Sequence, residues 1–396
     1  MRRSRQGARS RWAVVAASAL LITSGCGESS PGPAEHEPRG GPVPEETDGA
    51  GGAPAEETVS VPDVADDPAG TAGPPDVSVA GTVATGLHTP WDVDFLPDGS
   101  ALVSLRDEGQ VLRIEDSQQV TLDAGGQGGA VPDVVHQSED GLLGLTVGPD
   151  QSIYLYLSTD SDNRVVRYDL EDETLVDPQV VLEGIPTHQN HVGGRVAFGP
   201  DGYLYVTTGD SRNLDLPQDP ASLAGKILRV TADGDPAPGN PFDNEVWSIG
   251  HRNVQGLGWT GDGRMYASEF GSSDFDELNL IEPGQNYGWP DIEGWSGEPG
   301  FTDPLVTWTP AEASPSGIAV TDEGVWMTAL RGERLWFVPL GPEGEVGEPR
   351  EHQLGLGRLR AIAQAPDGSL WLVTSNTDGR GDPGELDDQI VRLEIS

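Results

Sequence analysis

The chain has 396 residues, and its 65 Asp and Glu against 23 Lys and Arg give a formal net charge of −42. Phosphate backbones and anionic lipid head groups repel such a surface, which excludes nucleic acid and direct electrostatic membrane binding. Cys26 is the only cysteine, so no intrachain disulfide can form.

In chain order, residues 1–25 read as an export signal. Arg2, Arg3, Arg5, Arg9 and Arg11 make a basic n-region, and residues 12–22 form an apolar run too short to span a bilayer. The run ends in Thr23-Ser24-Gly25-Cys26, which resembles a bacterial lipobox with Thr23 in place of the usual aliphatic residue. The resemblance implies lipidation of Cys26 and anchoring, through lipid alone, to the outer face of the cell membrane. Residues 26–76 are rich in Pro, Gly, Ala and acids and have almost no aliphatic periodicity. Such a segment buries too little apolar surface to offset chain entropy, and like charges extend it. A disordered acidic tether is expected.

From Val77 to Ser396 the texture changes to short apolar runs cut by turns. An apolar pair, a Pro-Asp-Gly turn or a variant of it, and a second apolar run recur six times. The turns centre on Asp98, Asp150, Asp201, Asp262, Asp322 and Asp367. Asp-Gly supplies the positive φ that a tight hairpin requires, and flanks such as Leu204-Tyr205-Val206-Thr207 carry β-branched and aromatic residues. Helical periodicity is nearly absent. Repeats of 45 to 61 residues, each holding several short strands, predict an all-β, six-bladed β-propeller over residues 77–396. Strands near 77–83 and 389–394 are expected to pair and close the ring. The long insertions 210–224 and 284–302 are candidates for the rim of a site.

The segments leading into the inner strands carry the chemistry. Glu139-Asp140-Gly141-Leu142-Leu143-Gly144 leads into blade two. His191-Val192-Gly193-Gly194-Arg195 leads into blade three, whose hairpin ends on Thr208-Gly209-Asp210. His191 is a candidate proton acceptor, and a carboxylate at Asp210 would fix its tautomer and stabilise the imidazolium. His188 and His251 are weaker candidates, and no spacing resembles a zinc site. Gly250-His251-Arg252-Asn253-Val254-Gln255 leads into blade four, Arg331 follows a blade-five strand, and Arg358-Leu359-Arg360 leads into blade six. Arginines at equivalent places of several blades point at one axis. Such a ring suits a multivalent anion, because guanidinium pairs bidentately with carboxylate or phosphate. The loop from Glu269 through Gly271, Ser272, Asp276 and Glu277, followed by Asn286-Tyr287-Gly288-Trp289-Pro290, offers hard oxygens for Ca²⁺. The acidic run 378–388 is expected to be a solvated loop.

Together and in this order, these strings resemble the soluble pyrroloquinoline quinone (PQQ) sugar dehydrogenases, the glucose/sorbosone dehydrogenase family, over about residues 83–395. The resemblance implies a six-bladed propeller that oxidises aldose sugars. In it His191 is the general base, Asp210 its orienting carboxylate, and the hydride passes to PQQ. Arg252 and Asn253 would contact the quinone oxygens, with Glu139 beside them. Arg331, Arg358 and Arg360 would hold the PQQ carboxylates. One Ca²⁺ would bridge PQQ and the carbonyls of Gly271 and Ser272, and Asp276, Glu277 and the Tyr287 carbonyl would match a structural calcium site. The family's Lys is Arg331 here, its Gln is Glu139, and its Pro after Gly271 is Ser272. The chain is more similar to the shorter aldose sugar dehydrogenase branch. A monomer that passes electrons to an unidentified acceptor is expected. The alternatives are a calcium-dependent lactonase on the same propeller and a non-enzymatic sugar- or partner-binding propeller.

Overall fold

The computed structural model describes residues 75–396. The export signal, Cys26 and the tether up to residue 74 lie outside the described residues. Among the described residues, 24 strands form six four-stranded antiparallel sheets, and the only helical element is a 3₁₀ turn at Gln127–Gly129. The innermost strands of blades one to six are Pro90–Phe95, Leu142–Val147, Val196–Phe198, Val254–Trp259, Pro315–Val320 and Leu359–Gln364. Each packs against the innermost strands of both neighbouring blades, so the ring is closed. Val77–Ala84 forms the outer strand of blade six and pairs antiparallel with Ile390–Ile395, the closure expected from the sequence.

The repeated turn joins the first and second strand of each blade. Gly99, Gly202, Gly263 and Gly368 take φ between 79° and 92° there, while blade two places Gln151 at φ 70°. The repeated Asp caps the turn. Asp98, Asp150, Asp201 and Asp367 each accept the N–H two residues on, at 2.9 to 3.2 Å. The same carboxylates pair with third-strand arginines: Arg113 with Asp98, Arg229 with Asp201 and Arg392 with Asp367. These arginines serve the scaffold, which sets apart those that do not.

Second strands such as Ala101–Leu105 and Ile153–Ser158 are buried along their whole length. Neighbouring blades cover both of their faces, so the strict apolar–polar alternation of a one-sided sheet is lost. Between blades two and three, Leu143, Tyr154, Tyr156, Val206 and Leu228 pack as one cluster that Trp91 of blade one joins. Each fully buried apolar side chain contributes about 1.5–3 kcal/mol.

Lys226, the only lysine, is 0 % exposed. Its ammonium donates to the carbonyls of Leu216, Pro217 and Ala224 at 2.7, 2.9 and 2.7 Å. It therefore pins the insertion that follows Asp210. Lys226→Met leaves three carbonyls without their donor and is expected to cost about 3 kcal/mol, read as a lower melting temperature in a thermal scan of the 75–396 fragment. An unchanged melting temperature would show that the insertion holds itself.

Candidate active site

The segments leading into the inner strands and those joining second to third strands meet on one face of the ring. At its centre is the blade-three hairpin. His191 adopts φ 57°, a left-handed conformation that costs a non-glycine residue about 1–2 kcal/mol. Its surroundings hold it there. Glu139 Oε2 accepts the His191 N–H at 3.1 Å, and Ser211 N–H donates to the His191 carbonyl at 3.2 Å. The Gly193 N–H donates to Asn253 Oδ1 at 2.9 Å, which ties the turn to blade four. Gly209 has no substitute, because a Cβ there would lie 1.8 Å from the His191 carbonyl oxygen. That close approach delivers Asp210 to the imidazole.

Asp210 Oδ1 lies 2.8 Å from His191 Nδ1. Asp210 is 1 % exposed and also accepts the Arg212 N–H at 2.7 Å and Trp289 Nε1–H at 2.9 Å. Burial works to raise its pKa, but the His191 contact and the two N–H donors outweigh it and hold the carboxyl below its usual range. Arg252 Nη2 lies 2.9 Å from His191 Nε2. A guanidinium can only donate, so Nε2 carries the lone pair and Nδ1 the proton given to Asp210. The geometry presents a neutral imidazole with its basic nitrogen facing the cavity.

That cavity has a volume of about 270 Å³. Arg106, Arg252, Arg331, Arg360 and Arg380 line it, against the carboxylates of Glu139 and Asp276. Of the five, Arg106 pairs with Asp107 at 2.7 Å, Arg380 with Glu139 at 2.9 Å, and Arg360 lies 3.6 Å from Asp378, which leaves Arg252 and Arg331 with no ion pair among the described residues. Arg360 is the most deeply placed. Its Nη1 donates to Gln255 Oε1 at 2.9 Å, and its Nε is buried without a partner, as is that of Arg252. Burial and the nearby charge of Arg106 push the Arg360 pKa down to about 9, with Asp378 opposing. A buried cation in this state seeks an anion. Burial likewise lowers the Arg252 pKa. Arg331 is exposed at the mouth and has no ion-pair partner among the described residues.

Arg358 stands apart from the expected ring. It does not line the cavity, and its Nη2 lies 2.9 Å from Asp378 Oδ2, which also takes Arg360 at 3.6 Å. The acidic run 378–388 is thus not simply a solvated loop. Asp378 is buried beneath two arginines, and Asp388, 0 % exposed, caps Thr374, Asn376 and Thr377. Burial would raise the Asp378 pKa, but the two guanidiniums hold it low.

Gly271, Ser272 and Asp276 also line the cavity. Four successive N–H groups, from Ser272 to Phe275, converge on Glu293 Oε1 at 2.6 to 3.1 Å and shape this loop. Asp276 accepts the N–H of Gly271 and of Ser314, and burial raises its pKa to about 6. Glu277, the next residue along the strand, has different partners, accepting the Gly294 N–H and Asn279 Nδ2, and does not line the cavity. Burial and the charge of Glu269 push Glu277 up to about 8. Side chains of adjacent strand residues point to opposite faces, so Asp276 and Glu277 are not brought together as one ligand set. Tyr287 stacks on His251 at 4.7 Å and its hydroxyl donates to the Leu280 carbonyl. No group of three or more His, Cys, Asp or Glu placed to hold a metal occurs among the described residues. His251 is buried between Ser248 and Glu269 and is structural, and His188 accepts the Asn190 N–H. Arg106 and Arg380 join the site without having been expected from the sequence; Gln255 lay in a string singled out there but without a role of its own, and Asp378 in a run expected to be solvated.

A family model described as Glucose / Sorbosone dehydrogenase matches residues 87–388. The solved structure of the PQQ-bound aldose sugar dehydrogenase of Streptomyces coelicolor is similar at 48 % identity and a TM-score of 0.78, covering 82 % of this chain and 99 % of that one. Quinoprotein glucose dehydrogenase B of Acinetobacter calcoaceticus is 31 % identical over 55 % of this chain and 54 % of its own length. The aldose sugar dehydrogenase of Escherichia coli is 27 % identical over 74 % and 89 %. With the ring of six blades and the His191–Asp210 pair beneath a cluster of arginines, the chain belongs to the glucose/sorbosone dehydrogenase family.

Proposed function

We propose that the protein oxidises aldose sugars to lactones, with PQQ as bound cofactor and His191 as general base. The observation that carries this reading is the charge of the cavity. Its five converging guanidiniums, of which Arg252 and Arg331 have no ion-pair partner among the described residues, suit a multivalent anion such as the tricarboxylate PQQ and stand beside a base-ready imidazole. The matches to PQQ-dependent and aldose-oxidising relatives support the same assignment.

Arg360, with Arg106 beside it, and Arg331 at the mouth would hold the cofactor's carboxylates, while Arg252 and Asn253 would face its quinone oxygens. Arg358 would act at one remove, holding Asp378 in place. When bound, PQQ supplies the two-electron sink that accepts the hydride. The residues do the remainder. The C1 hydroxyl replaces Arg252 Nη2 at His191 Nε2 and gives up its proton there. Asp210 stabilises the imidazolium that results, and Arg252 stabilises negative charge as it develops. Ca²⁺ would be held by the carbonyls of Gly271 and Ser272, since no group of three acidic or His ligands is placed for it among the described residues. A calcium lactonase would need acidic and amide ligands free to converge on the ion. Here Glu139, Asp276, Asn253 and Gln255 share the cavity with five guanidiniums and are engaged by Arg380, backbone N–H groups and Arg360.

In this reading the export signal and lipidated Cys26 set a monomeric enzyme on the outer face of the cell membrane. Residues 26–76 hold it clear of the bilayer, and electrons pass to an acceptor of unassigned identity. The test is dye reduction by the purified 75–396 fragment with PQQ and Ca²⁺ against a panel of aldoses and simple alcohols. Aldose-dependent turnover that disappears when PQQ is omitted is the expected result. Turnover independent of PQQ, or none with any aldose, would overturn the assignment.

A further inference from the structure

One ion pair spans the mouth of the cavity. Arg380, in the segment 375–389 of blade six, places Nη2 2.9 Å from Oε1 of Glu139, which leads into blade two, so the pair reaches across blade one. Both ends are tethered. The Arg380 N–H donates to Asp378 Oδ1 at 2.9 Å, and the Glu139 N–H donates to the Gln189 carbonyl at 2.8 Å. The second oxygen of Glu139 accepts the His191 N–H at 3.1 Å, so the carboxylate lies against the residue that bears the base. Both side chains line the cavity. Arg380 is 54 % exposed at its rim and Glu139 21 %. The arginine is thus free to shift when a molecule enters, whereas Glu139 is held.

We propose that the Glu139–Arg380 pair selects the charge of the substrate, admitting neutral polyols and turning away both sugar acids and amino sugars. This rests on the dehydrogenase reading. A carboxylate beside a guanidinium offers acceptors and donors to vicinal hydroxyls with no net charge. With Glu139 and Arg380 paired and the cofactor's carboxylates matching the deeper guanidiniums, a charged sugar of either sign finds no free counter-charge to offset the loss of its hydration. Removing one partner unmasks the other. Glu139→Gln leaves a lone guanidinium that welcomes an anion, and Arg380→Gln leaves a lone carboxylate that welcomes a cation.

The test compares kcat/KM for glucose, glucuronate and glucosamine in the wild type and both variants, with PQQ and Ca²⁺ present, below neutral pH so that the amine is charged. The expected result is a glucuronate-to-glucose ratio raised about tenfold by Glu139→Gln, and a glucosamine-to-glucose ratio raised about as much by Arg380→Gln. Both shifts should shrink at high ionic strength. Ratios taken within one variant are independent of how much of it folds, and a purely structural role would move all three sugars together. Ratios within twofold of wild type in both variants would overturn the proposal. If Glu139→Gln loses all turnover through its contact with His191, the Arg380→Gln ratio decides alone. A wild type that turns over no aldose at all would instead overturn the dehydrogenase reading, and this inference with it; where another neutral aldose is the better substrate, it takes the place of glucose in the ratios.

Discussion

His191→Ala is expected to lower kcat for aldose oxidation by about three orders of magnitude, the scale of a positioned general base, while leaving PQQ affinity within a few-fold of wild type. The expectation follows from hydrogen-bond direction. Arg252 can only donate to Nε2, so the proton of the imidazole sits on Nδ1 against Asp210 and the basic nitrogen faces the cavity. Nothing else there can replace it. Glu139 is engaged with Arg380 and the His191 N–H, and Asp276 with two backbone N–H groups. Asp210→Asn should cost less but in the same direction, since an amide no longer stabilises the imidazolium. Steady-state dye reduction gives kcat, and fluorescence titration of the apo-protein gives the PQQ Kd. A His191→Ala enzyme within tenfold of the wild-type rate would remove His191 from the role of base.

Arg360→Gln is expected to weaken PQQ binding by about two to three orders of magnitude, because one carboxylate of the cofactor loses its buried partner. The apo-protein should respond in the opposite sense. Arg360 is a buried cation with an unpartnered Nε, and its pKa is pushed down to about 9 by burial and by Arg106. Its nearest carboxylate, Asp378 at 3.6 Å, is already paired with Arg358, so removing the buried charge relieves a desolvation cost and the melting temperature without PQQ should hold or rise. Stabilisation by saturating PQQ should shrink in the variant. A structural arginine would show the reverse, a lower apo melting temperature with little change in Kd.

The propeller was legible because its signal is local. The repeated Asp caps a turn two residues away and the glycine supplies φ, so each blade writes its own marker. Even the imperfect copies, with Gln151 and Glu323 after the Asp, keep Asp150 and Asp322 at the turn. The His191–Asp210 pair was legible for a related reason, since both residues flank one hairpin and Gly209 marks the close approach. The second half of the site was not legible. Arg380 and Glu139 are 241 residues apart and meet only because the ring closes. Asp378 sits in a run whose composition reads as solvent-exposed, and charge alone does not reveal that two arginines cover it. For the same reason Arg358, grouped with Arg360 by sequence, shares Asp378 with it but does not line the cavity. Alternation along a strand explains why Asp276 reaches the cavity and Glu277 does not, a distinction the motif Asp276-Glu277 conceals.

The most direct measurement is an anaerobic titration of the 75–396 fragment, loaded with PQQ and Ca²⁺, by an aldose, followed in the absorption spectrum of the quinone. The expected result is full reduction of the bound cofactor by one equivalent of sugar, with the lactone as product. A protein that binds no PQQ, or binds it and leaves its spectrum unchanged with every aldose offered, would contradict the account.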